Sequence, residues 1–346
     1  MEKMTSLERV VKTLKREPVD RVPCFEWLID KGVIDSILPG ANEEAFINEM
    51  GLDAICIDLD YKTEDLGNGM IRDEWGQIKT YTVEGHSFPV DGPIHDADEL
   101  KAYTPPDPHD PARYVTLEKM LDKYGDSKAI IVHLNDVYSI PSRMMEYTDF
   151  LCNIVEEPEF ISDLIKMQVD VQLAMAEEIY KRGVRVCYTG DDYAYKTAPN
   201  VSPETFRELF YPELCRVMGG FKDIGLMVIK HTDGKIDDLL DMIIDSGIDC
   251  LDPIDRSAGL DLADIKHRFG DRVAIKGNVD CVNTLVSGTV EETIAETKEC
   301  LQIGASTGSG YILSSSNSIH SSVRPENYKA MLDTWRKYRD YPIHID

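Results

Sequence analysis

Short apolar segments alternate with longer amphipathic segments along most of the chain. From residue 113 onward, β-branched segments are separated by stretches of roughly 10 to 18 residues with helical periodicity. Strands spaced in this way are typical of parallel β/α units, because a parallel crossover connection is about as long as a helix. The eight candidate strands are 22–27, 54–59, 129–134, 185–190, 226–232, 248–253, 273–279 and 310–315.

Eight such strands predict an α/β fold, a (β/α)8 TIM barrel. A doubly wound open sheet is the alternative, but it usually has a glycine-rich turn after its first strand, and residues 22–30 contain no glycine. We expect a single domain over residues 1–346 that opens with an amphipathic helix within residues 1–21, with Asn42 as a later N-cap. Residues 61–110 alternate apolar and polar positions and predict an insertion made of a small β-hairpin or meander followed by a loop.

Composition narrows the class of partner. The formal net charge of −26 repels nucleic-acid backbones and anionic membrane surfaces, so we expect neither as a partner. The acidic surface could also bind a basic patch on a partner protein. The 8 cysteines are scattered without a C-x-x-C pair, which indicates buried thiols in a reducing compartment. Because no segment has the pattern of a signal peptide or a membrane span, we expect a cytoplasmic protein.

Polar residues follow nearly every candidate strand, where the catalytic mouth of a barrel lies. Any one of them could instead cap a helix, as Asp255, Asp261 and Asp280 are placed to do, and for His133 the structural and catalytic roles weigh equally. Their convergence on one rim favours a catalytic site. The residues at the strand ends are His133, Asn135, Asp136, Asp191, Asp192, Tyr193, Lys196, His231, Asp233, Lys235, Asp252, Asp255, Asn278, Asp280, Asn317 and His320.

His231 and Asp233 form the most informative pair of this set. They lie two residues apart on an extended segment, so both side chains point to the same side. An imidazole and a carboxylate placed in this way can share a metal ion or a substrate oxygen. The His-x-Asp pattern is too short to indicate a site by itself. Its position at a strand end, before a glycine and a helix, favours a functional role for the two residues.

Longer motifs resemble the uroporphyrinogen decarboxylase-like superfamily over nearly the whole chain. Their order and spacing match that superfamily as well as their residues do. The motifs are REPVDRVPCFEW at 16–27, EEPEFISDLI at 156–165, the segment 190–212 that begins GDDYAYK, HTDG at 231–234, the segment 277–292 that begins GNVDC, and the segment 310–331 that begins GYILSSSNSIH.

Within this superfamily the chain departs from the true decarboxylase. That enzyme has an arginine-rich segment after its first strand, which grips the carboxylates of a porphyrinogen, whereas residues 25–35 here are FEWLIDKGVID. Glu26 and Asp30 in place of arginines would repel an octa-anionic substrate. Porphyrinogen decarboxylation is therefore not the favoured activity.

The chain looks closer to the corrinoid-dependent methyltransferases of the superfamily. Their thiol-methylating members hold zinc with a His-x-Cys motif and a later cysteine. Here His231 is kept, Asp233 replaces the first cysteine and Asn317 falls near the second. A soft thiolate site has become a hard N/O site, which disfavours a thiol substrate. The HTDG and SSSNSIH motifs resemble the first methyltransferases of O-demethylase systems.

This resemblance implies methyl transfer from a methyl ether, above all an aryl methyl ether, to cob(I)alamin. The chain has no D-x-H-x-x-G corrinoid-binding motif, so the cobalamin would arrive on a separate corrinoid protein. Zinc or another divalent metal is a further candidate cofactor, held by His231 and Asp233. A homodimer is left open.

An ether oxygen leaves poorly unless it is protonated or bound by a Lewis acid. We therefore expect His231 and Asp233 at the leaving oxygen, with Asp191, Asp192 and Tyr193 completing the catalytic set. The residues expected to contact the substrate are Glu26, Trp27, His133, Tyr138, Tyr195, Asn278, Asn317 and His320.

Three alternatives stand beside this hypothesis. The first is a methylcobamide-dependent transfer to a thiol or pterin acceptor, against whose thiol version the missing cysteines count. The second is a uroporphyrinogen decarboxylase-like decarboxylase of another acidic substrate, disfavoured by the missing arginines. The third is a non-catalytic docking subunit, which has no reason to keep so many desolvated polar groups on one rim.

Overall fold

The parallel strands of this protein curl around a common interior. The computed structural model describes residues 4–81 and 87–346. Within these ranges the strands are β1 (Ala54–Ile57), β2 (Thr63–Gly67), β3 (Met70–Asp73), β4 (Ile78–Tyr81), β5 (Ser87–Asp91), β6 (Ala129–Leu134), β7 (Val186–Thr189), β8 (Met227–His231), β9 (Cys250–Asp252), β10 (Ala274–Val279) and β11 (Tyr311–Ser315). Seven of them form one sheet in the order β1-β6-β7-β8-β9-β10-β11, and all its neighbouring pairs are parallel.

Helices connect and surround these strands. Their bounds within the described ranges are α1 (Ser6–Leu14), α2 (Lys31–Ile37), α3 (Glu43–Met50), α4 (Ala97–Ala102), α5 (Val115–Tyr124), α6 (Tyr147–Glu156), α7 (Pro158–Arg182), α8 (Pro203–Thr205), α9 (Tyr211–Ile224), α10 (Leu240–Asp245), α11 (Leu262–Phe269), α12 (Val290–Gly304) and α13 (Pro325–Tyr338). Asn42 and Asp261 are the predicted N-caps of α3 and α11, and both accept a backbone N–H bond there. None of these helices is long and apolar enough to cross a bilayer.

The predicted first strand, residues 22–27, is not a regular strand. The Asp53 amide donates to the Cys24 carbonyl and the Leu313 amide donates to the Pro23 carbonyl, each at 2.9 Å, so this segment lies between β1 and β11. Pro23 has no N–H to give to a ladder, and pairing is limited to isolated bridges such as that of Cys24 with Leu313. The sheet of seven strands and this segment are consistent with a TIM-like barrel.

Alternation along the strands sorts side chains between two cores. Ile131, Val186, Ile229 and Ala274 belong to the cluster inside the barrel, together with Val10 of α1. The intervening strand residues face the surrounding helices and form a larger outer core. A side chain therefore reaches the mouth of the barrel when it points to the interior and lies at the carboxyl end of its strand.

Residues 61–110 form a small antiparallel meander, the second of the two structures predicted for them. Strands β2 to β5 form a four-stranded antiparallel sheet in sequence order, although residues 82–86 of the predicted insertion lie outside the described residues. This sheet is followed by Gly92, where a Cβ would lie 2.0 Å from the Met144 backbone, so only glycine allows the chain to pass there. The Ile94 amide then donates to the Met144 carbonyl at 2.9 Å, which ties the insertion to the loop after β6.

Candidate active site

A cavity of about 150 Å³ opens at the carboxyl ends of the parallel strands. Its walls come from the ends of β6 to β11 and from the segment that precedes α2, so residues distant in sequence meet there. The lining residues are Trp27, His133, Tyr188, Gly190, Asp192, His231, Asp252, Pro253, Lys276, Ser315, Asn317 and Ser318. Five residues predicted to form the site therefore lie in one cavity wall: Trp27, His133, Asp192, His231 and Asn317.

Three side chains at this mouth could hold a metal ion. His231 Nε2 lies 3.6 Å from Asp233 Oδ1 and 3.7 Å from Asp192 Oδ1. One ligand atom from each of the three residues falls within 4.8 Å of the others. The Asp233 amide donates to Asp192 Oδ1 at 3.0 Å, which holds the loops after β7 and β8 together.

The donor set fits a hard or borderline divalent ion. Asp233 Oδ1 is buried and has no hydrogen-bond partner among the described residues, whereas Asp233 Oδ2 accepts a 2.5 Å bond from the side-chain amide of Asn317. A buried carboxylate oxygen without a partner is costly, and a cation at this point would satisfy it. One imidazole and two carboxylates suit zinc or another N/O-binding metal and do not form a thiolate site.

Asp252 supports His231 from inside the barrel. His231 is paired with Asp252 in the β8–β9 register, and its Nδ1 lies 2.7 Å from Asp252 Oδ2. Burial lowers the pKa of His231, but the Asp233 and Asp252 carboxylates outweigh burial and raise it well above its usual range. Burial raises the pKa of Asp252, and the charges of Lys276 and His231 reverse this, so that it stays below its usual value. The raised pKa favours the charged ring, in which both Nδ1 and Nε2 carry a proton.

Aromatic rings form part of the cavity wall. Trp27 is stacked on Tyr188 with ring centroids 4.7 Å apart and an interplanar angle of 6°, and it meets His133 edge-on at 4.9 Å. His133 Nδ1 lies 2.9 Å from Asp58 Oδ1, which orients its ring. A flat apolar wall beside a polar cluster suits a substrate with an aromatic ring and one reacting oxygen.

A second chamber of about 350 Å³, whose wall includes Asp233, adjoins the first at Asn317. Its walls contain two more predicted contact residues, Tyr195 and His320. The Tyr195 side chain is 59% exposed and its hydroxyl is 3.4 Å from that of Tyr147. This chamber gives a larger substrate room beyond the reacting oxygen.

Asp191 and Tyr193, two predicted catalytic residues, do not line either cavity. Both are buried in a polar network between the barrel and its outer layer. Asp136 Oδ2 lies 2.8 Å from the Lys230 ammonium, and the Tyr193 hydroxyl donates to Asp136 Oδ1 at 2.5 Å. Asp191 Oδ2 accepts the amides of Tyr138 and Ser139, at 2.7 and 2.9 Å. A catalytic role for Asp191 or Tyr193 stays a prediction, and this placement favours support of the loop after β6.

Three further predicted contact residues are buried beside the mouth. The Asn278 side chain donates to the Ile254 carbonyl at 3.1 Å. The Tyr138 hydroxyl is 2.9 Å from that of Tyr147. Glu26 accepts both the amide and the hydroxyl of Ser315, at 3.0 and 2.9 Å. Burial raises the pKa of Glu26 to about 7. Direct contact of these three with a substrate stays a prediction.

Comparison with known proteins places this architecture in a family. The family model described as uroporphyrinogen decarboxylase (URO-D) matches residues 78–338. The chain belongs to the uroporphyrinogen decarboxylase family. The family predicted from the motifs is thereby confirmed.

Curated relatives within the family include both methyltransferases and decarboxylases. The methylcobamide:CoM methyltransferase MtaA of Methanosarcina barkeri is 22% identical over 88% of this chain and 91% of its own. The methylcobamide:CoM methyltransferase MtbA of Methanosarcina mazei is 23% identical over 98% and 100%. A uroporphyrinogen decarboxylase of Thioalkalivibrio sulfidiphilus is 20% identical over 95% and 97%.

Among solved structures, a methyltransferase from Methanosarcina mazei shares the fold. Its TM-score is 0.74 at 19% identity, and the match covers 97% of this chain and 99% of that one. At this identity the likeness shows the fold alone. It extends over the N-terminal segment and the antiparallel sheet, which lie partly outside the match to the URO-D family.

Tyr188 and Lys276 are among the cavity-lining residues that the sequence analysis did not predict. Each lies two positions after a strand residue of the cluster inside the barrel, Val186 or Ala274, so its side chain also points to the interior. A charged residue inside the apolar strand β10 was the available signal for Lys276.

The predicted caps are confirmed for Asp255 and Asp280, which accept the amides of Ser257 and Val282, each at 2.8 Å.

Proposed function

We propose that this protein is a corrinoid-dependent methyltransferase that takes the methyl group of an aryl methyl ether and transfers it to cob(I)alamin on a separate corrinoid protein. The observation that carries the proposal is the Asp192–His231–Asp233 cluster beside the aromatic wall, since Asp192 and His231 line the same small cavity as Trp27 and Tyr188. The methyltransferases among the relatives support the reaction class. The hard ligand set and the aromatic wall support the ether.

The reaction needs help at the leaving oxygen. Transfer of the methyl group to the cobalt of cob(I)alamin would break the bond between the methyl carbon and the ether oxygen. The electron pair of that C–O bond would pass to the oxygen, which would leave as a phenol or phenolate. The His231 imidazolium can give the departing oxygen a proton from Nε2. A divalent metal held by Asp192, His231 and Asp233 would instead supply Lewis-acid stabilisation of the same oxygen. Trp27 and Tyr188 orient the ring and keep water from it.

A decarboxylase of an acidic substrate is less well supported, although decarboxylases occur among the relatives. No arginine lines the cavity described above, and its one lysine, Lys276, is paired with Asp252 at 2.8 Å. Asp192 is half exposed at the mouth and would repel a carboxylate. Transfer to a thiol is disfavoured because the cluster contains no thiolate.

A spectroscopic assay tests the proposal. The purified protein is mixed without oxygen with a corrinoid protein in the cob(I)alamin state and with a panel of methoxylated phenols. We expect conversion to methylcobalamin and release of the matching phenol. The corrinoid protein must accept methyl groups from another methyltransferase as a positive control. No conversion with any ether in the panel would contradict an ether substrate.

Exposed apolar side chains around the mouth suit the docking of the corrinoid partner. Leu28 is 50% exposed next to Trp27, and Val282 is 45% exposed in the wall of the second chamber. We expect the pair Leu28→Ser and Val282→Ser to raise the KM for the corrinoid protein about tenfold and to leave kcat unchanged, since only association loses apolar contact.

Val155→Ser is the matched control for that pair. Val155 is 80% exposed on helix α6 and lines neither cavity, so its loss should leave the KM unchanged. Equal KM values for the double variant and the control would place the docking surface elsewhere.

A further inference from the structure

We propose that Lys276 is a positioning residue that acts through Asp252 to hold His231 in its working orientation. The inference rests on the proposed use of His231 at the leaving oxygen. Within the described part of the chain, Lys276 makes no hydrogen bond or ion pair to Asp192 or Asp233, the other two members of the cluster.

The contacts form a line from the interior of the barrel to the mouth. Lys276 Nζ donates to Asp252 Oδ1 at 2.8 Å, and His231 Nδ1 lies 2.7 Å from Asp252 Oδ2. The Tyr188 hydroxyl also donates to Asp252 Oδ2, at 3.1 Å. Both oxygens of this carboxylate are thus engaged, so it cannot rotate without breaking a charged bond. With Nδ1 held in this way, the His231 ring presents Nε2 to Asp192 and Asp233.

Burial makes this arrangement depend on the lysine. Asp252 and Lys276 are 1% and 3% exposed, so a carboxylate left without its ammonium would be desolvated and uncompensated. Burial lowers the pKa of Lys276, but the carboxyl groups of Asp252 and Glu26 outweigh burial and raise it. Partners behind a ligating histidine typically fix its tautomer and ring orientation. Lys276 does not contact His231 through a hydrogen bond of its own, but it holds Asp252, the hydrogen-bond partner of His231.

Two variants test the inference through zinc affinity. Purified metal-free protein is titrated with Zn²⁺ against a chromophoric chelator, and circular dichroism checks the fold. We expect Lys276→Met to weaken zinc binding by about 10- to 100-fold. Asp252→Asn should cause a similar loss, and the double variant should be little worse than either one, because both act on a single contact line. Should Lys276→Met fail to fold, Lys276→Gln replaces it.

Lys266→Met is the matched control. Lys266 is also a buried lysine, but its hydrogen bonds to the described residues go to the carbonyls of Ser309 and Gly310, at the other end of the barrel. If zinc binding only required an intact buried lysine for the fold, Lys276→Met and Lys266→Met would lose zinc affinity to the same extent. Wild-type affinity in Lys276→Met, or the same loss in Lys266→Met, would overturn the inference.

A metal-independent measurement gives a second test. In metal-free protein we expect an NMR signal from the hydrogen-bonded Nδ1–H of His231, and we expect Lys276→Met to abolish it. Persistence of this signal in the variant would contradict the role of Lys276, even if the wild-type protein bound no zinc. Neither test depends on methyl transfer, so failure of the ether assay and failure of this inference are distinguishable.

Discussion

His231→Ala should lower the rate of methyl transfer by roughly 10³-fold while the barrel stays folded. The His231 imidazole can either donate a proton to the leaving oxygen or help to bind a Lewis acid beside it. Its side chain is only 15% exposed at the rim, and alanine there removes little of the apolar core. The measurement is the initial rate of methylcobalamin formation at saturating ether and corrinoid protein.

His109→Ala is the control for this variant. His109 lies on the surface, 60% exposed, and its Nδ1 is 3.2 Å from Glu178 Oε1. Its replacement should leave the rate unchanged. A His231→Ala protein that is folded and fully active would remove His231 from the reaction, and with it the proposed role of the cluster.

Lys230→Met should destabilise the protein by about 3–5 kcal/mol, because it removes one partner of a buried ion pair. Lys230 and Asp136 are both fully buried, and the Lys230 ammonium also donates to the Asp191 carbonyl at 2.7 Å. Without the ammonium, the carboxylates of Asp136 and Asp191 would face each other in a dry interior. Burial and the nearby Asp191 already raise the pKa of Asp136 to about 6.

The free energy of unfolding from urea titrations checks this expectation. Lys101→Met serves as the control, since the pair of Lys101 with Asp98 is exposed on helix α4 and should contribute little. A Lys230→Met protein with the wild-type midpoint and slope would show that the network is not required for stability. The loop after β6 would then need another support.

Much of the fold could be predicted from the sequence because its signals are local. Alternation of apolar segments with helical periodicity depends on neighbouring residues, and it located the seven regular strands of the parallel sheet. Caps such as Asn42 and Asp261 are also local, because the side chain bonds an amide three residues later. The segment 22–27 has the composition of a strand, but its pairing depends on Pro23 and on strands far away in the chain.

The site was predictable only in part, for the same reason. His231 and Asp233 were recognisable as a pair because two residues of an extended segment share a side. Asp191 and Asp192 are adjacent and chemically alike, yet the first is fully buried in the outer network and the second is half exposed at the cavity. No sequence pattern orients neighbouring aspartates on an irregular turn, since their directions follow from backbone angles that the surrounding loops impose.

The sequence by itself therefore determined the family, the β/α order and the rim at which polar groups gather. Only the tertiary structure decided which of those groups meet. Asp252 faces His231 because β8 and β9 pair in one register, and Lys276 reaches Asp252 because β10 lies next to β9. Contacts of this kind join residues more than 20 positions apart. They exist only once the strands have closed around a common interior.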